Sequence, residues 1–114
     1  MYQDKVVLCG ASAYDKKFYL NEDFERLPQS IKDELKIMCV LFTEDVGGIL
    51  TLYFDEDGTL FFETRCEDSD GSYDDIGSRL KIGELQRDKS DLLRALELFY
   101  KVFVLGETTD ALSD

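Results

Sequence analysis

Thr43-Glu44-Asp45-Val46-Gly47-Gly48 joins two adjacent carboxylates to two adjacent glycines. If a helix reaches this point, Glu44 and Asp45 sit at its negative end, where each is disfavoured by about 0.3–1 kcal/mol. A local rule broken without evident compensation marks a place to look for function. Gly47 and Gly48 would let a ligand or another backbone come close. These four residues form a candidate ligand-binding site. If the helix instead ends near Phe42, the acids are solvated and the glycines only turn the chain.

A second cluster runs from Glu67 to Asp75, with five carboxylates in nine residues around Gly71 and Ser72. Asp68, Asp70, Asp74 and Asp75 could offer oxygens to a hard cation such as calcium or magnesium. The EF-hand template fits poorly. With Gly71 at position 6, the end ligands would fall on Cys66 and Gly77. The alternative is a solvated loop held open by self-repulsion. Asp55-Glu56-Asp57-Gly58 is explained as a turn.

Other chemistries are missing. The chain has no histidine, which removes serine triads, Cys–His dyads and His-ligated zinc. Cys9, Cys39 and Cys66 are widely spaced, form no C-x-x-C pair and lie in apolar runs, as buried reduced thiols do. Gly10-Ala11-Ser12 and Gly47-Gly48 match no phosphate-cradling motif. Arg79 and Lys81 read as ordinary surface cations. A carboxylate pair could perform acid–base chemistry, yet no spacing selects a pair among 25 acids.

The balance of 25 acidic to 13 basic residues, −12 at pH 7, argues against nucleic acid and anionic membrane surfaces. The 114 residues, 44% of them apolar, make one domain, 1–106, followed by an acidic frayed tail, 107–114. Neither a signal peptide nor a run of about 20 apolar residues is present. The expectation is a cytoplasmic, reducing compartment.

The elements that must position these groups follow from periodicity. Val6 to Gly10 and Lys17 to Leu20 read as strands joined by a loop at Ala11–Asp15. Asn21 can cap one helical turn reaching Leu27. Pro28 suits the first position of a helix whose stripe is Ile31, Leu35, Met38 and Phe42. Beyond Lys36 that helix is apolar all round, as if buried on several sides.

Ile49 to Phe54 and Thr59 to Cys66 form a hairpin around Asp55–Gly58. Leu50, Leu52, Phe54, Leu60, Phe62 and Cys66 share one face, while Ile49, Tyr53 and Phe61 lie among polar residues on the other. Ile76–Ile82 fits either a helical turn or an extended segment. From Glu84 a long helix carries Leu85, Leu92, Leu96, Phe99 and Phe103, interrupted only by Lys89. The class is α+β, in the order β-β-α-β-β-α: a mostly antiparallel four-stranded sheet packed with two main helices.

Four segments carry a resemblance: Lys5-Val6-Val7-Leu8-Cys9-Gly10-Ala11, Thr43 through Leu52, Tyr73-Asp74-Asp75-Ile76-Gly77-Ser78 with Leu80-Lys81-Ile82, and Tyr100-Lys101-Val102 to Leu105-Gly106-Glu107. The chain resembles a family of short, acidic, uncharacterised bacterial proteins over nearly its whole length. The resemblance implies a bacterial cytosolic protein and brings no activity, substrate or site residue.

The leading expectation is a non-enzymatic interaction module, a homodimer that covers either the sheet face of Ile49, Tyr53 and Phe61 or the C-terminal helix. The alternative is a small-molecule or divalent-metal domain built on Glu44, Asp45 and the Asp68–Asp75 loop. A carboxylate enzyme ranks below both, as does an acidic mimic of nucleic acid, whose charges would need to share one face.

Overall fold

A computed structural model describes residues 5–106; the acidic tail at 107–114 lies outside the described residues. The β-rich N-terminal run forms β1 (Val6–Ser12), which turns back into β2 (Lys17–Leu20). The turn occupies 13–16, later than expected, because Ala11 and Ser12 remain paired with Phe18 and Lys17. A 3₁₀ turn, Glu22–Phe24, follows, capped by Asn21, whose side chain accepts from the Asp23 amide at 3.0 Å. Helix α1 spans Gln29–Val46, with Pro28 just before it.

The second hairpin is β3 (Ile49–Phe54) and β4 (Leu60–Arg65). Its turn forms as its composition dictates. Asp55 Oδ1 accepts from the amides of Asp57 and Thr59, and Gly58 takes φ 86°, which favours glycine. The sheet order is β2-β1-β3-β4, and each neighbouring pair is antiparallel. Two helices follow, α2 (Asp75–Asp88) and α3 (Ser90–Phe103).

Among the described residues, three α-helices therefore stand where two main helices were expected. Ile76–Ile82 is helical, and the long C-terminal helix is broken at Lys89, whose backbone takes φ −110°, ψ 22°. Lys89 occupies the vacant place in the apolar seam and pairs with Glu34 of α1 at 3.2 Å. The break lets α2 lie along α1 while α3 reaches β4, where Glu97 accepts from the Leu60 amide at 2.8 Å.

The core lies between the sheet and the helices. Leu50, Leu52 and Phe54 of β3 are fully buried, facing Leu35, Cys39 and Phe42 of α1 and Leu96 and Tyr100 of α3. Phe54 stacks on Tyr100 at 4.2 Å between ring centres and on Phe24 at 5.8 Å. Such contacts add about 0.5–1.5 kcal/mol each beyond area burial. A β-bulge between Val7 and Cys9 turns both Leu8 and Cys9 into the core, which strict alternation forbids.

Two expectations about burial fail. Cys66 lies just past β4 and is exposed, because the strand ends at Arg65. Ile37 and Leu41 of α1 are 58% and 55% exposed. Although α2 lies along α1, Ile37 and Leu41 border an apolar groove between the two helices instead of being covered. Among the described residues no helix is long and apolar enough to cross a membrane.

Candidate functional site

Helix α1 continues to Val46, so Glu44 and Asp45 do occupy its negative end. The two then part. Asp45 pairs with Lys81 of α2 at 3.3 Å, which offsets the unfavourable dipole. Glu44 lies on the opposite flank and lines a cleft of about 620 Å³ between α1 and the β1–β2 hairpin. Lys36, Val40, Thr43, Glu44 and Gly47 supply one wall; Ser12, Ala13, Lys16, Lys17 and Phe18 supply the other. On α1 these positions recur at helical spacing, so one stripe faces the cleft.

The paired glycines also separate. Gly47 ends α1 at φ 83° and borders the cleft. Gly48, at φ 73°, is buried where the Tyr73 ring and the Arg65 carbonyl press in; a Cβ there would meet each at 2.6 Å. The close approach expected at the glycines is thus made, at Gly48, by the protein itself. The hydroxyl of Tyr73 then donates to buried Ser78 at 2.9 Å, tying α2 to the start of β3.

The four loop acids do not converge. Asp74 caps α2, accepting from the Gly77 amide at 2.8 Å, and Asp75 pairs with Arg79 one turn on at 3.1 Å. Asp70 accepts from the Tyr14 hydroxyl at 2.5 Å and from the amide and hydroxyl of Ser72. Asp68 is exposed. Among the described residues no three His, Cys, Asp or Glu side chains are grouped to hold a metal ion. The run reads as helix-start chemistry: an Asp cap, an acid in the first turn and a basic partner four residues later.

Tyr14 binds the acidic loop twice, since its hydroxyl also accepts from the Glu67 amide at 3.0 Å. The bond to Asp70 raises the Tyr14 phenol above its ordinary value, and the same bond holds the Asp70 carboxyl below its own. Cys9 and Cys39 touch in the core, sulfur to sulfur at 3.9 Å. That contact, with burial, drives the Cys9 thiol well above the usual range, so it stays protonated and inert.

Among the described residues, none forms a layer over the sheet face opposite the helices. Register places Val7, Tyr53 and Phe61 in one row across it, and Tyr19, Gly10 and Thr51 in the next, with Ile49 beyond. Tyr19 is 57% exposed and Phe61 40%, while Ile49 and Tyr53 are half-buried. The rings of Tyr53 and Phe61 stack at 5.7 Å, and Lys5 sits over Tyr53 at 4.5 Å while pairing with Glu63. Val7 and Tyr19 extend the expected patch of Ile49, Tyr53 and Phe61. The bulge hid the first; the second needed the β1–β2 register.

The cleft lysines were missed at the sequence level. Lys16 and Lys36 are far apart in sequence and come together only when the hairpin lies beside α1. A further apolar groove runs between α1 and α2, past Ile37, Leu41 and Leu85.

Residues 5–108 match the model of a family of unknown function, DUF6145. That span agrees with the stretch over which the sequence resembles an uncharacterised family. No curated protein and no solved structure matches the chain.

Proposed function

We propose a role for a chain that belongs to DUF6145, a family of unknown function: a non-enzymatic module of the bacterial cytosol that self-associates through its uncovered sheet face. The observation that carries this reading is an antiparallel sheet with helices on one face and aromatic side chains on the other. Antiparallel sheets facing water alternate apolar-in with polar-out. Here Val7, Tyr19, Ile49, Tyr53 and Phe61 occupy the outward positions.

The charges of this face are compatible with a second copy as its occupant. Two molecules of net charge −12 repel over most of their surfaces. The sheet face carries Lys5, Lys17 and Arg65 against Asp15 and Glu63, a near-neutral rim of both signs around an apolar centre. It is a face on which two copies can meet without adding like charge to like, and it has the anatomy of a protein interface. The exposed Cys66 and the absence of any disulfide among the described residues suit a reducing compartment.

Sedimentation equilibrium on the full chain tests the proposal. Wild type should give twice the 13.1 kDa chain mass. Phe61→Glu should give the single mass with unchanged circular dichroism, because the side chain is already exposed. Leu41→Glu, on the rival helical groove, should remain dimeric. A wild-type monomer at about 1 mM, where even a −4 kcal/mol interface would show, overturns self-association. Dissociation by Leu41→Glu but not by Phe61→Glu overturns the choice of face.

A further inference from the structure

The geometry points to the cleft between α1 and the β1–β2 hairpin as a binding site for a nucleoside phosphate. Carboxylates outnumber cations about two to one in this chain. Lys5, Lys32, Arg79, Lys81 and Lys89 each pair with a carboxylate. Lys16 and Lys36, which share the cleft, have no ion pair among the described residues, and neither do Arg26, Arg65, Arg87, Arg94 and Lys101 elsewhere. Lys16 and Lys36 together outweigh the Glu44 carboxylate in the same concavity, which makes the cleft locally positive on an acidic molecule. Such a cleft concentrates an anion.

The cleft is polar at both ends and apolar between. Lys36 and Glu44 lie eight residues apart on one stripe of α1, about 12 Å along the axis. Half-buried Val40 stands between them, and half-buried Phe18 faces it from β2. An anionic head at the lysines, a flat body against Phe18 and Val40, and a hydrogen-bond donor at Glu44 match this sequence of surfaces. A nucleoside phosphate supplies all three: phosphate, aromatic base, and the exocyclic amine or ribose hydroxyls. The volume of about 620 Å³ lies within the ~300–1,000 Å³ of small-molecule pockets.

The cationic lip is also held in place. Lys16 takes φ 52°, a left-handed conformation uncommon for a residue with a side chain. The turn that imposes it is fixed at three points. Ala13 N–H donates to the Gly48 carbonyl at 2.9 Å, Asp15 N–H donates to the Ser12 hydroxyl at 3.2 Å, and Tyr14 is bound to the acidic loop. A fixed lip lowers the ordering cost that binding must overcome.

Calorimetric titration of the full chain at low salt with adenosine monophosphate, adenosine and inorganic phosphate tests the assignment. Adenosine monophosphate should bind more tightly than either fragment. Lys36→Gln should weaken it by about tenfold or more, the usual effect of losing a charged partner. Glu44→Gln should weaken adenosine monophosphate and leave inorganic phosphate unweakened. Both positions are exposed, so melting temperatures should hold and confirm that the variants fold. No heat from adenosine monophosphate at about 1 mM, or equal affinity in wild type and Lys36→Gln, overturns the site. Inorganic phosphate binding as tightly as adenosine monophosphate overturns the nucleoside assignment.

Discussion

Tyr14 and Asp70 connect the first hairpin to the acidic loop, and their titrations predict when that tether holds. The carboxyl of Asp70 lies below its usual 3.8 because the Tyr14 hydroxyl donates to it, helped by Ser72. A depressed folded-state value adds stability above the ordinary carboxylate range, lost as pH falls through the depressed value. The phenol of Tyr14 lies above its usual 10.0 for the same reason, so its contribution is intact below 10.0 and lost as pH rises through the raised value. The melting-temperature difference between wild type and Tyr14→Phe should form a plateau at neutral pH and shrink toward both extremes. A difference unchanged from about pH 7 to about pH 2 would contradict the assignment. None of this pairing was legible in the sequence, where Tyr14 sat in a generic loop and Asp70 among solvated acids. The divergence of Glu44 from Asp45 was equally hidden, because consecutive helical residues point about 100° apart and only the neighbours decide what each meets.

At the scale of elements, periodicity and turn chemistry carried most of the fold. The two hairpins, the register class of the sheet and the buried stripe of α1 follow from alternation, from Asp55–Gly58 and from the spacing of Leu35, Met38 and Phe42. What escaped depends on third parties. Lys89 interrupts the apolar seam that predicts one long helix, and it marks a break there because α2 follows α1 while α3 follows β4. Asp74-Asp75, whose charge suggests a cation, forms a helix start. The joint between α1 and β3 gives the sharpest element-level prediction. Gly48→Ala should cost about 2–4 kcal/mol, combining left-handed strain with overlap on Tyr73 and the Arg65 backbone. Gly71→Ala, with nothing within 4 Å of its added Cβ, should change stability by less than about 0.5 kcal/mol. Urea denaturation of the two variants checks both, and equal costs would show that the packing at Gly48 is not tight.

For the molecule as a whole, the uneven distribution of charge decides how its two proposed surfaces respond to salt. A net charge of −12 on a small chain opposes compaction and opposes the approach of a second copy. The sheet face contributes little to that repulsion, since Lys5, Lys17 and Arg65 nearly balance Asp15 and Glu63. Its attraction is apolar, and added salt leaves apolar attraction in place while screening the rest. The Debye length falls from about 30 Å at 0.01 M to about 3 Å at 1 M. Self-association should therefore tighten as sodium chloride rises, and the melting temperature should rise with it. The lysine cleft should show the reverse, because the anion's attraction to Lys16 and Lys36 is itself what salt screens. Sedimentation and calorimetry over one salt series separate the two surfaces by the sign of their slopes. If dimerisation weakened with salt, the contact would rest on ion pairs, and the aromatic sheet face would not be what joins the copies.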